Sequence, residues 1–325
     1  MADVIPARLQ VIFAILGIPL LAACGTGSTP VKSAAGPRYR LVNEWGKTGT
    51  GPGEFRGVQG LAVSEQGELF VADAENCRIQ VFTERGEFLR SWGACGEEPG
   101  NFVRPIDVAI GPGGQIYVVD FMLDRVAVFD QEGRFLQQWG KPGTGAGELS
   151  SPSGIAVDRQ GSVYVTEFYN HRLQKFSSEG APLLHWGGDG HGPGQMHYPA
   201  KVTTGPDGLV YVADAHNNRV LRFTPAGEFL STFGSPGTWK GQFQDPVDLV
   251  VDGDGGIHVA DSGNFRLQWL RPDGEYITDW SLPDFEGVRI QSPQAIDRGP
   301  DGMLYISDPS RNRIYKLEPI SGGEK

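Results

Sequence analysis

Six acidic residues, each followed five positions later by an arginine, are the most regular chemistry in this chain. Asp73, Asp120, Glu167, Asp214, Asp261 and Asp308 precede Arg78, Arg125, Arg172, Arg219, Arg266 and Arg313, and each interval is 47 residues. A carboxylate and a guanidinium so placed can hold a ligand, or each other. Six copies of one pair cannot be six active sites. In YVADAHNNRVLRF, residues 211–223, the Asp closes one β-branched run and the Arg opens the next, so the two face each other across a tight loop. A charge-assisted bond there satisfies loop backbone or ties neighbouring units, and that structural role is expected of the whole series.

The other candidates for chemistry are sparse. His171, His185, His191, His197, His216 and His258 show no recurrent metal spacing. His191 and His197 share one loop near His171 and His216, a cluster better read as solvated loop histidines than as a zinc site. No nucleophile elbow, P-loop or haem-attachment motif is present.

The elements that position these residues follow from one repeat, because a strict 47-residue period from about residue 38 to 318 means repeated supersecondary units. In one unit, LVYVAD follows the turn Gly205-Pro206-Asp207-Gly208. RVLRF follows a polar loop, and EFLSTFG follows Pro225-Ala226-Gly227 before a Gly- and Pro-rich connection reaches DPVDLVV. Four antiparallel strands per repeat of this length is the pattern of a propeller blade. The ends are complementary: RLVNEWG with Trp45 is a fourth strand lacking a third, and RIYKL is a third strand lacking a fourth. The fold expected is therefore all-β, a six-bladed propeller of four-stranded antiparallel blades, closed when residues 38–46 join the last blade and remove its open edge.

Units such as SPSGIAVDRQGSVYVTEFYNHRLQKF resemble NHL repeats, and the resemblance covers residues 38–318. It implies the fold, while its functions range over protein- and RNA-binding modules, sensor domains and, in related six-bladed enzymes, lyases or lactonases. In the amidating lyase of this fold, zinc is held by His residues directly after the Pro that starts the inner strand. Those positions here are Gln59, Ile106, Ser153, Ala200, Val247 and Gln294, so that triad is missing. The next position reads Gly60, Asp107, Gly154, Lys201, Asp248 and Ala295, which sets Asp107 and Asp248 three blades apart across the central channel. With Lys201 they would be able to hold Ca2+, another divalent cation or a polar ligand, as lactonase-like relatives hold a metal. A backbone-satisfying role is the plainer reading, because Asp commonly alternates with Gly at this NHL position. No other cofactor is implied.

The first 24 residues bear on the compartment. VIFAILGIPLLAAC is too short to span a bilayer and ends in small residues, as a signal peptide does. Leu21-Ala22-Ala23-Cys24 resembles a bacterial lipobox, which implies cleavage after residue 23, a lipidated Cys24 and a tether over 24–37, with residues 319–325 as a tail. The chain is then expected to be an extracytoplasmic, membrane-anchored lipoprotein, in the periplasm or at the outer membrane of a Gram-negative cell. Cys77 and Cys95 flank a hairpin turn nearly symmetrically, and an exported compartment permits a disulfide between them.

With 39 acidic against 28 basic residues the net charge is −11 and no basic stripe appears, which argues against nucleic-acid binding. Partners are expected instead on the loop face, where the residues between each Asp and Arg vary. Phe121, Met122, Leu123, Phe168, Tyr169, His171, His216 and Phe265 stand where other repeats have Ala-Glu-Asn or Ser-Gly-Asn. The expectation is a monomeric binding or scaffolding module for a protein or small ligand, reaching the membrane only through its lipid. A channel-centred, metal-dependent lyase or lactonase-like hydrolase is the alternative.

Overall fold

Short runs of Val, Ile and Tyr between Gly- and Pro-rich turns favour strands over helices, and the computed structural model, which describes residues 38–281 and 290–320, is built from them almost entirely. Each of the first five repeats is one four-stranded antiparallel sheet with its strands in sequence order, and the sixth sheet takes its fourth strand from the N-terminal end of the described chain. Blade one comprises Val58–Val63, Leu69–Asp73, Arg78–Phe82 and Phe88–Trp92. The inner strands of blades two to six are Pro105–Ile110, Pro152–Val157, Lys201–Thr204, Pro246–Val251 and Ala295–Arg298. Each inner strand touches the next, and that of blade six touches that of blade one, so the ring closes.

Closure uses the expected ends. Arg38–Trp45 pairs antiparallel with Arg313–Ile320, with Trp45 opposite Ile314 and Arg38 opposite Ile320. The strand from Arg313 thus runs past the expected limit at residue 318. The expected leader, the lipidated Cys24 and the tether lie outside the described residues, as do residues 321–325.

Burial peaks at the second strand of each blade and is lowest at the outer edge. Every second strand is buried throughout, while outer strands expose residues such as Phe88 and Leu89. Blade packs on blade through Trp45, Trp92, Trp139, Trp186 and Phe233, each lying against a hairpin glycine of the next blade. A Cβ built on Gly86, Gly133, Gly180, Gly227 or Gly274 would come within 2.0–2.9 Å of those rings. These glycines also hold φ near +80°, so the period of glycines follows from both the turn and the ring above it. Phe233 is buried and contributes roughly 1.5–3 kcal/mol, while the four tryptophans stay partly exposed.

Deleting residues 38–45 exposes the edge of blade six and removes Trp45 and Tyr39 from their clusters, so the truncated chain should lose about 4 kcal/mol or more and melt well below a chain beginning at residue 37. Equal melting temperatures would contradict the closure. His258 occupies the slot that Tyr164 and Tyr211 fill in blades three and four. It is buried, stacks on Trp269 at 5.6 Å and faces Asp252 through Nε2 at 3.2 Å. Burial lowers its pKa below 6.5 despite Asp252, so the unfolded chain binds the proton more readily and stability is lost as pH falls below about 6.5. His258→Tyr should flatten that acid-side loss, read as melting temperature between about pH 7.5 and pH 5.

Candidate functional site

The acidic and basic series is consumed by the architecture. Asp73, Glu167, Asp214 and Asp261 pair with Arg78, Arg172, Arg219 and Arg266 at 2.5–2.8 Å. Each carboxylate of all six also accepts the amide 17 residues upstream, donated by Arg56, Val103, Ser150, His197, Gln244 and Gln291. The guanidinium groups of blades one to five donate to carbonyls of the connection between blades, as Arg78 does to Thr50, Gly51 and Glu54. Asp120 and Asp308 are the exceptions, with no ion pair to Arg125 or Arg313 among the described residues. The paired acids receive Nδ2 of an Asn three residues on, namely Asn76, Asn170, Asn217 and Asn264. Blades two and six have Leu123 and Arg311 there, and Asp120 turns instead to the amides of Met122 and Leu123.

Just before each Arg, one residue adopts left-handed backbone: Cys77, Asp124, His171, Asn218, Phe265 and Asn312, all at φ 50–54°. Four of these side chains reach the next blade. Asp124, His171, Asn218 and Asn312 accept the amides of Ser151, Tyr198, Asp245 and Gly57 at 2.6–3.0 Å. Cys77 is joined instead to Cys95, with Cα atoms 4.9 Å apart. Asn312 also reaches Thr48 Oγ1 at 3.0 Å, and His171 Nδ1 lies 3.9 Å from Asp189. Cys95, Thr48 and Asp189 occupy the same repeat position, so one latch is built from three chemistries.

The loop face differs from the expectation in one respect. Phe121 and Phe168, expected at a partner surface, are 4% and 3% exposed and pack on each other at 6.1 Å, because their apolar bulk sinks between blades two and three. They support a rim that is partly exposed: Met122, Leu123, Tyr169, His171 and His216, with Phe265 43% exposed on blade five. Tyr198, which the sequence did not single out, joins this rim, 4.6 Å from Phe168, 4.7 Å from His216 and 4.5 Å from His171. Its φ of +49° is costly for a bulky residue, and blade one has Gly57 in the same slot. Trp239, 79% exposed on the connection between blades four and five, was equally unforeseen.

In the channel the structure does bring Asp107, Lys201 and Asp248 together. Lys201 Nζ donates to Asp107 and lies 3.5 Å from Asp248, so its ammonium stands where a divalent cation was expected. Each carboxylate also accepts two backbone amides, Asp107 from Val108 and Ile155 and Asp248 from Leu249 and Ile296, all at 2.7–2.9 Å. Alternating glycines make room, since a Cβ on Gly60 would lie 2.4 Å from the Asp107 carboxylate. Burial raises the Asp107 pKa and pushes Asp248 up to about 7, while Lys201 stays above its ordinary value because the two carboxylates outweigh burial. Asp297, at a position where other repeats have Ala, Thr or Val, repeats the device by accepting the Val63 amide at 2.8 Å, and burial pushes it up to about 6. The adjoining cavity of about 180 Å³ has Lys201, Asp248 and Asp297 as its charged groups.

The NHL repeat model matches residues 55–82, 149–176, 196–223 and 243–270. The chain is an NHL-repeat propeller. The four matched repeats are the blades with the supporting Asn, and blades two and six, which lack it, are the two unmatched. No curated protein matches the sequence. Among solved structures, the NHL propeller is similar to virginiamycin B lyase from Staphylococcus aureus, with 18% identity, 89% of this chain and 90% of that one covered, and a TM-score of 0.62. It is similar to a gluconolactonase from Xanthomonas campestris, with 14% identity, 89% and 99% covered and a TM-score of 0.64. It is also similar to a chain of the nidogen/laminin complex, with 17% identity, 69% and 79% covered and a TM-score of 0.53. Likeness at this identity shows the fold alone.

The channel of the NHL propeller makes its own prediction. Lys201→Met leaves Asp107 and Asp248 buried with backbone amides as their remaining partners and should cost roughly 3–5 kcal/mol. The carboxylates, already raised by burial, then hold protons to still higher pH in the folded chain than in the unfolded one. The deficit should therefore grow as pH rises from about 5 to about 9, read from denaturant midpoints. A pH-independent deficit would show that Lys201 acts by packing alone.

Proposed function

We propose that this NHL propeller is a lipid-anchored, extracytoplasmic module that binds a protein or small ligand on its loop face. The observation that carries the proposal is the aromatic and histidine rim of blades two to four. Tyr169, Tyr198 and His216 sit partly exposed on a buried floor of Phe121 and Phe168, and Tyr198 is held in a conformation its side chain disfavours. Rigid aromatics on a preformed floor bind at low entropic cost. The anchor rests on the leader and Leu21-Ala22-Ala23-Cys24. A channel-centred lyase or lactonase has less in its favour, since Asp107 and Asp248 already accept two amides each and face an ammonium.

Capture from solubilised envelope, with mass spectrometry, tests it. Met122→Ser with Tyr169→Ser should abolish a specific capture with little change in melting temperature. Phe121→Ser or Phe168→Ser should cost about 3–5 kcal/mol through the lost floor. Capture that survives the rim changes would move the binding surface elsewhere, and a Cys24→Ala chain that still fractionates with membranes would remove the anchor.

A further inference from the structure

Blade three spends its latch on a different set of atoms from every other blade. His171, at the left-handed position, lies 3.9 Å from Asp189, the residue equivalent to Cys95. His197 Nδ1 is 2.8 Å from the same Asp189 oxygen, and the His171 and His197 rings are parallel within 6° at a centroid separation of 5.3 Å. One ligand atom from each of His171, Asp189 and His197 lies within 4.8 Å of the other two. We propose that these three residues form a site for a first-row divalent transition metal, a metal clip at the position where blade one carries a disulfide.

The donor set is the first argument. Two imidazoles and one carboxylate suit zinc and its neighbours, whereas Ca2+ and Mg2+ want oxygen. Freedom to close is the second. Tetrahedral zinc brings its donors to roughly 3.4 Å from one another. Asp189, with its side chain 65% exposed, is able to swing inward, while the His197 backbone is fixed by the hydrogen bond its N–H donates to the Asp214 carboxylate. His171 is the costlier ligand, because its Nδ1 now accepts the Tyr198 amide at 3.0 Å and that bond is released when the metal takes the nitrogen. The metal thereby acts on the rim itself, freeing the residue held at φ +49°. His191 and His216, with rings 5.7 and 5.8 Å from that of His197, border the site and leave further coordination positions open.

Zinc titrated calorimetrically into the metal-stripped full chain should bind at one equivalent and raise the melting temperature, and Co2+ should give visible d–d absorption. His197→Ala and Asp189→Ala should each weaken zinc by about tenfold or more. His171→Asn separates ligation from folding, because Asn218 and Asn312 already serve as the amide acceptor in blades four and six. That variant should melt like the parent without metal and lose zinc. His185→Ala, on an outer strand, should change nothing. Absence of saturable zinc binding overturns the proposal, as does zinc binding unaffected by His171→Asn and His197→Ala.

Discussion

Everything in this ring depends on a buried carboxylate at the end of each second strand. A carboxylate out of water is costly unless its lone pairs are filled, and here each oxygen is engaged. Asp73 accepts the Arg56 amide on Oδ1, and Asn76, Arg78 and Gln80 on Oδ2. Its donors come from three places: the connection from the previous blade, the local loop and the third strand. One acid therefore sets the height of the connection, the conformation of the loop and the register of the following strand. The same carboxylate that would read as catalytic in a pocket is here the origin of coordinates for a blade.

The left-handed residue that follows performs the second task, joining one blade to the next. A left-handed position favours Asn and Asp among non-glycine residues, and Asp124, Asn218 and Asn312 fit that preference. His171 keeps the acceptor and adds a titratable ring, while Cys77 gives up the acceptor and gains a covalent bond to Cys95. Phe265 keeps neither and is exposed. The backbone geometry is constant across all six copies while the chemistry changes, so this position is where the chain departs from its own repeat at least structural cost.

The period made the fold legible. Asp, Arg, Trp and Gly recurring every 47 residues specify strands, turns and packing partners together, and the unmatched ends specify closure. The site was legible only in part. Asp107, Lys201 and Asp248 could be placed in one channel by repeat position, but the sequence does not say whether a lysine points at its neighbours or away. Met122 and Tyr169 are partly exposed on the loop face, whereas Phe121 and Phe168 look the same in sequence and are buried, since burial of a loop aromatic depends on the gap between two blades. Asp189 and Asp297 were missed although a signal existed. Asp189 holds the repeat position of Cys95, and Asp297 stands in an otherwise uncharged slot.

The proposed binding face follows from what the repeat leaves free. Each blade must supply a second strand buried on both faces and an acid with an arginine, and at five junctions an aromatic covers the next hairpin glycine, so those positions carry no information about a ligand. The channel is also closed to general use, because its acids are tied to amides of the next blade and to Lys201. What remains are the loops around blades two to four, and there the departures accumulate: Phe121 and Phe168 where other blades have Ala, Ser or Pro, Tyr198 where blade one has Gly57, and four of the six histidines within reach of one another. A Tyr held at φ +49° is strain that a Gly would relieve, and the fold tolerates Gly in that slot. The side chain is therefore retained against a local backbone preference, on the one part of the ring whose residues are not already spoken for by the blades.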